Sequence, residues 1–130
     1  MISIVVPVFN EEKSLKELYQ RINKVLKGSW EIIFVDDGST DNSATQILKI
    51  AEKDKRVILA SLSRHLGKAK ALMRGFQDSK GEVIVTLDAD LQDEPEEIPK
   101  FLAKIDEGYD LVNGWKKQRR DFFLVVLFSR

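Results

Sequence analysis

Two rhythms of apolar positions alternate along the chain. Ile2 to Phe9 is a continuous apolar run, the pattern of a strand buried on both faces. Leu15, Leu18, Tyr19, Ile22, Val25 and Leu26 then recur at three-and-four spacing, which predicts a helix with one apolar stripe, and Gly28 stands where it would end. The cycle repeats. Trp30 to Val35 predicts a second strand; Ala44, Ile47, Leu48 and Ala51 mark a second helix, with Ser43 and Gln46 at capping-box spacing. Val57 to Leu62 predicts a third strand, and Ala69, Leu72, Met73 and Phe76 a third helix closed by Gly81. Glu82 to Leu87 reads as a fourth strand. Ile98, Phe101, Leu102 and Ile105 lie on a fourth helix that opens at Pro95 and ends at Gly108, and Asp110 to Asn113 reads as a fifth strand.

Strict β-α alternation predicts an α/β fold: a Rossmann-like parallel sheet with right-handed crossovers and helices on both faces. Ligands of such sheets bind beyond the carboxyl ends of the strands. No repeat, low-complexity segment or linker interrupts residues 1–115. From Trp115 the character changes: Lys116, Lys117, Arg119 and Arg120 form a basic cluster, followed by an apolar run from Phe122 to Phe128. The expected division is therefore a ligand-binding unit over 1–115 and a basic and apolar tail over 116–130. That tail reads as the start of a further, truncated region or as a membrane-facing segment.

At 130 residues the chain suffices for one domain with a core. Composition narrows the function classes. Lys plus Arg and Asp plus Glu each number 21, so net charge gives no reason to expect nucleic acid as a partner. The absence of cysteine excludes disulfides and thiolate metal sites. The N-terminus lacks a basic region and a small-residue cleavage site, and the apolar run near the C-terminus is far shorter than the ~20 residues of a membrane span. A cytoplasmic protein is expected.

The acids are placed unevenly. Asn10-Glu11-Glu12 follows the first strand, Asp36-Asp37-Gly38-Ser39-Thr40-Asp41 the second, and Asp88-Ala89-Asp90-Leu91-Gln92-Asp93 the fourth. In a parallel sheet these loops converge on one edge, where like charges repel unless a cation or a donor-rich ligand compensates them. Residues i and i+2 of extended backbone point the same way, so Asp88 and Asp90 address one site, with Gln92 as a further oxygen. Oxygen ligands favour Mg²⁺ or Mn²⁺. The plainer reading is that such acids cap helices, which suffices for Asp41 and Asp93.

Competing motifs fail. No G-x-G-x-x-G follows the first strand, and Gly67-Lys68 is followed by alanine rather than Ser or Thr, which removes the dinucleotide and P-loop signatures. A calcium loop starting at Asp88 would place Asp93 where glycine is needed and Pro99 where the bidentate glutamate belongs. A haloacid-dehalogenase-type phosphatase would carry its D-x-D after the first strand, not the fourth.

Pro7-Val8-Phe9-Asn10-Glu11-Glu12, Asp36 to Asp41 and Asp88 to Asp93 together resemble the three signatures of family 2 glycosyltransferases of the GT-A fold. The Leu91-Gln92-Asp93 continuation is similar to the branch containing dolichol-phosphate mannose synthase and bacterial polyprenyl-phosphate glycosyltransferases. The resemblance runs from residue 2 to about 120 and covers the amino-terminal portion of such an enzyme. It implies an inverting transfer of sugar from a UDP- or GDP-sugar to an acceptor, a polyprenyl or dolichyl phosphate in that branch. Pro7, Phe9 and Glu11 would line the base and ribose pocket and Asp37 would contact base or ribose. Asp88 and Ala89 would hold the sugar-phosphate region. Asp90, as the catalytic carboxylate, would bind Mg²⁺ or Mn²⁺ with Gln92 and Asp88. Lys68 reads either as a phosphate contact or as a solvated lysine of the first helical turn, and Lys116 falls near a position that binds acceptor phosphate in relatives, although Lys116 to Arg120 reads equally as an exposed charge run.

The chain departs from the family pattern where Arg64-His65-Leu66-Gly67-Lys68 replaces the common Arg-Asn-x-Gly-Lys; His65 reads as a loop residue. The basic cluster beside an apolar segment suits the cytoplasmic face of an anionic membrane. An apolar edge left exposed would favour homo-oligomers. Two other readings remain: a non-catalytic nucleotide-binding or interaction module, and a sugar-phosphate nucleotidylyltransferase. The latter expects a glycine-rich loop where Asn10-Glu11-Glu12 stands.

Overall fold

The computed structural model describes residues 1–114 and the strand 123–127. In chain order the elements are β1 (Ile2–Val8), α1 (Leu15–Val25), β2 (Trp30–Asp36), α2 (Ser43–Lys53), β3 (Val57–Ser61), α3 (Lys68–Asp78), β4 (Val83–Thr86), α4 (Ile98–Asp106), β5 (Leu111–Gly114) and β6 (Phe123–Leu127). A 3-10 turn over Pro95–Glu97 leads into α4.

The sheet has six strands in the order β3-β2-β1-β4-β6-β5. β1 pairs parallel with β2 and β4, and β2 parallel with β3, as the alternation predicts. The apolar run near the C-terminus supplies a strand that the pattern alone did not reveal: β6 lies between β4 and β5 and runs antiparallel to both.

Side-chain alternation along the strands divides the core. Ile4, Val6 and Val8 of β1, with Ile32 and Phe34 of β2, face Leu15, Leu18 and Ile22 of α1, Ile47 of α2 and Ile98 and Ile105 of α4. Val5, Ile33, Val35, Ala60 and Ile84 face the other way, onto α3. Each fully buried aliphatic side chain contributes roughly 1.5–3 kcal/mol of transfer free energy, so these two layers hold the sheet between its helices. α3 covers its face with small residues. Ala71 and Gly75 are its buried positions, and a Cβ on Gly75 would overlap the Val5 side chain, so the glycine lets α3 sit close against β1. Leu48 and Met73, read above as members of apolar stripes, are exposed; they flank the buried stripe instead of lying in it.

The order of strands dictates where a ligand goes. The chain steps from β1 to β2 to β3 in one direction, then crosses on the α3 face to β4 on the other side of β1. Crossovers leaving β1 and entering β4 therefore diverge, which opens a crevice beyond their carboxyl ends. At the opposite end two polar clips close the sheet. Ser3 Oγ donates to Glu31 Oε1 at 2.6 Å and accepts from the Gly81 amide at 2.8 Å. Arg56 stacks over Trp30 at 3.8 Å and bonds Asp54, which also accepts from the Tyr19 hydroxyl at 2.7 Å.

Candidate active site

The crevice is walled by loops that fasten one another. Asn10 adopts φ 54°, a left-handed conformation that asparagine tolerates, and its side-chain oxygen accepts from the amides of Thr40 (2.8 Å) and Asp41 (3.3 Å). In return the Asn10 amide donates to Ser39 Oγ at 3.0 Å. The Glu11 amide donates to Ser43 Oγ at 2.9 Å, and the Glu12 amide to Asp41 Oδ2 at 3.2 Å. The expected capping box at Ser43 and Gln46 does not form. Asn42 is the N-cap residue, and the Ser43 amide bonds Asp41 Oδ1 at 2.9 Å while the Ser43 hydroxyl serves the neighbouring loop. Burial acts against the charge of Asp41, but the bonds from Ser43 and Glu12 outweigh it and hold its carboxyl below the usual range.

Gly38 explains the glycine of the second acidic loop. It sits at φ 73°, and a Cβ there would lie 2.5 Å from the His65 amide nitrogen and 2.7 Å from the Arg64 carbonyl carbon. Only a residue without a side chain lets the β3–α3 loop cross so closely. Asp37 then fastens that loop: its Oδ1 accepts from the Leu66 amide at 2.7 Å and its Oδ2 from the Gly67 amide at 3.0 Å. The His65 imidazole lies on the Phe9 ring, centroids 4.0 Å apart and planes 29° from parallel.

The third loop is held from inside. The Ala89 carbonyl accepts from Ser14 Oγ at 2.6 Å, and the Asp88 amide donates to the buried Asp93 at 2.7 Å. Asp93 is therefore no helix cap, since α4 begins at Ile98; its carboxylate shapes the loop carrying Asp88 and Asp90. Asp90 is exposed, and its Oδ1 accepts the Gln92 amide at 3.1 Å across a turn in which Leu91 takes φ 63°. Lys68, at the first position of α3, pairs with Asp88 at 2.5 Å.

A cleft of about 270 Å³ results, and Pro7, Phe9, Glu11, Asp37, Lys68, Asp88, Ala89 and Asp90 all line it, together with Val8 and His65. Gln92 is not in that lining and meets the site through its amide bond to Asp90. Lys116 lies outside the described residues, as does the basic cluster around it. A second hollow of about 420 Å³ adjoins the first through Lys68 and Asp88 and is bounded by Leu72, Thr86, Leu87, Asp93 and Asn113. The crowding of acids bears on Glu11. Burial pushes its carboxyl above the ordinary value, the Ser14 hydrogen bond counteracts this, and the charges of Asp90, Asp41 and Asp88 push it further up.

Among the described residues, no three His, Cys, Asp or Glu side chains are grouped to hold a metal by themselves. The donor chemistry still fits a hard divalent cation. Asp88 and Asp90 offer oxygens only, and Mg²⁺ or Mn²⁺ sites commonly take one or two carboxylates and complete their shell with water and substrate phosphate. His65, Asp93 and Ser14 were not singled out by the motifs as parts of the site. The partners of His65 and Ser14, Phe9 with Asp37 and Ala89, come from distant elements, so spacing carries no sign of them, while Asp93 turns back on Asp88 within its own loop.

Comparison with known proteins places this geometry. The family model described as glycosyl transferase family 2 matches residues 3–123. An undecaprenyl-phosphate 4-deoxy-4-formamido-L-arabinose transferase of Salmonella choleraesuis (strain SC-B67) is 45% identical over 124 residues, 92% of this chain and 38% of that protein. A mannosyltransferase from Pyrobaculum calidifontis, solved in complex with GDP-Man and Mn²⁺, superposes with a TM-score of 0.75 at 25% identity, covering 92% of this chain and 36% of that one. Glucosyl-3-phosphoglycerate synthase from Mycobacterium tuberculosis, solved with Mn²⁺, UDP and glucosyl-3-phosphoglycerate, gives 0.75 at 25% identity over 91% of this chain and 44% of its own.

Proposed function

The chain belongs to glycosyl transferase family 2, and from that membership we propose that it forms the donor-binding part of an inverting transferase. The donor is a UDP- or GDP-sugar and the acceptor a polyprenyl phosphate. The observation that carries the reading is the convergence of Glu11, Asp88 and Asp90 with Phe9 and Lys68 around one cleft at the β1/β4 crevice. The similarity to an undecaprenyl-phosphate sugar transferase supports the acceptor class, and the GDP- and UDP-bound structural neighbours support the donor class.

Pro7, Phe9 and Glu11 line the base and ribose region and Asp37 braces it. Asp88 and Ala89 address the sugar-phosphate, and Lys68 offers an ammonium to the diphosphate from the start of α3. Asp90, Gln92 and Asp88 are the oxygens that would hold Mg²⁺ or Mn²⁺, whose charge stabilises the departing nucleoside diphosphate. In the transfer, an acceptor phosphate oxygen forms the new bond to the anomeric carbon from the face opposite the diphosphate. The bond to the diphosphate breaks, its electron pair leaves with the nucleotide, and the anomeric configuration inverts. The phosphate oxygen is already an anion, so this route requires no strong general base. Lys116 and the adjoining basic cluster are proposed to meet the acceptor phosphate at the cytoplasmic face of the membrane; among the described residues no helix is long and apolar enough to cross one.

The chain spans 38% of the length of the Salmonella relative, which favours a second reading beside the first: a unit that binds nucleotide without transferring sugar by itself. Calorimetric titration with UDP, GDP and their sugar conjugates, in Mn²⁺ and then in EDTA, tests the donor site. Metal-dependent binding of one nucleotide is expected. Binding of none, in this chain and in the longest form of the protein, overturns it. Sugar transfer by the 130-residue chain alone would eliminate the second reading.

A further inference from the structure

His65 is the only histidine of the chain, lines the cleft, and has no part in the roles assigned above. Its Nδ1 lies 2.9 Å from Asp37 Oδ2 and 3.2 Å from the Asp37 backbone oxygen. Both are acceptors, so Nδ1 carries the proton. The acceptor is itself immobile: the Asp37 side chain is only 4% exposed and receives the Leu66 and Gly67 amides. A neutral imidazole protonated at Nδ1 bears an unprotonated Nε2, and that nitrogen has no protein partner among the described residues. Stacking on Phe9 fixes the plane of the ring, while the side chain stays 55% exposed. In that tautomer the cleft presents a hydrogen-bond acceptor at Nε2, held in one orientation beside an aromatic face.

We propose that His65 contacts the donor nucleotide, its Nε2 accepting a hydrogen bond from an N–H of the base or an O–H of the ribose beside Phe9. The inference rests on the donor-site reading and deepens it. The other acceptor side chains lining the cleft are Asp88 and Asp90, assigned above to the sugar-phosphate and its cation, Glu11, an anion on the base and ribose side, and Asp37, already engaged with its loop. An uncharged acceptor suits a neutral base edge or hydroxyl without the desolvation cost of a further buried anion. Because stacking and the Asp37 bond order the ring during folding, little side-chain freedom is lost when the nucleotide arrives.

A single histidine makes the test direct. Two-bond ¹H–¹⁵N correlation of ¹⁵N-labelled chain should show one imidazole, protonated at Nδ1 and unprotonated at Nε2. Adding UDP or GDP with Mg²⁺ should shift the Nε2 resonance in the direction of a hydrogen-bonded acceptor while Nδ1 keeps its proton. His65→Phe retains a ring against Phe9 and removes Nε2, so nucleotide affinity should fall about five- to tenfold, the worth of one neutral hydrogen bond. His65→Gln should recover part of that loss. A nucleotide that binds without moving Nε2, or that binds His65→Phe undiminished, overturns the assignment and leaves the donor site standing. Failure of both the unaltered chain and the longest form of the protein to bind either nucleotide removes the donor site and this contact together.

Discussion

The backbone amide of Asp88 donates to Asp93 Oδ2 at 2.7 Å, so an acid outside the D-x-D pair sets the shape of the loop that bears it. Asp93 is buried, and a bond to an ionised acceptor in such a place is worth about 1.5–3 kcal/mol. Asp93→Ala should lower stability by about that amount in urea denaturation. Nucleotide affinity should fall as well, although Asp93 is not assigned to the ligand.

Asp90 gives the contrasting case. It is exposed, and its Oδ1 accepts from the nearby Gln92 amide. Asp90→Ala is expected to leave the unfolding midpoint unchanged and to reduce nucleotide affinity in Mn²⁺ to the level measured in EDTA. Unchanged metal-dependent binding would remove Asp90 from the cation site.

Gly38→Ala places a Cβ 2.5 Å from the His65 nitrogen on a backbone at φ 73°. Steric overlap with main chain and left-handed strain add, and a loss of about 1–3 kcal/mol is expected from the strain alone. The amides of Leu66 and Gly67 should exchange faster with solvent in this variant, because displacing the loop breaks their bonds to Asp37.

Glu11 provides a pH test. Burial first, then the charges of Asp90, Asp41 and Asp88, raise its folded-state value above the ordinary 4.5. A raised carboxyl favours the protonated folded state, so its contribution to stability is present below the unfolded value and is lost as pH rises through the folded one. Glu11→Gln should therefore unfold at a higher temperature than the parent at pH 7. That advantage should shrink as pH falls through the raised folded value and be gone below 4.5.

Asp54 should behave with the opposite sign. The Arg56 guanidinium holds its carboxyl far below the usual range, against burial and with help from Tyr19. Its contribution is present above the unfolded value and is lost as pH falls through the acid range. Because Arg56 is 42% exposed, the pair is partly screened, and Asp54→Asn should cost about 1 kcal/mol at pH 7. The difference should narrow in molar salt and towards pH 2.

Much of this arrangement was legible in the chain itself. Continuous apolar runs marked β1 to β4, and strict alternation required that the loops bearing Glu11, Asp37 and Asp88 meet at one edge. What stayed hidden depends on partners remote in sequence. Ser43 looked like a cap because its spacing to Gln46 suits one, yet its hydroxyl is taken by Glu11, 32 positions away. His65 looked like an ordinary loop residue because neither Phe9 nor Asp37 is near it in the chain. β6 was illegible for a related reason. An apolar run beside a basic cluster fits a membrane surface as well as a sheet, and only the free side of β4 decides between them.

The position of β6 has a consequence for synthesis on the ribosome. β5 pairs with β6 and stands at the edge of the sheet, so although it is made earlier it has no strand to dock against until residues 123–127 have emerged. During that interval β4 presents a row of unsatisfied amides and carbonyls to any other nascent strand. Among the described strands the wall nearest Asp88 is thus the last to close, and emergence of Leu127 from the ribosome is the event that closes it.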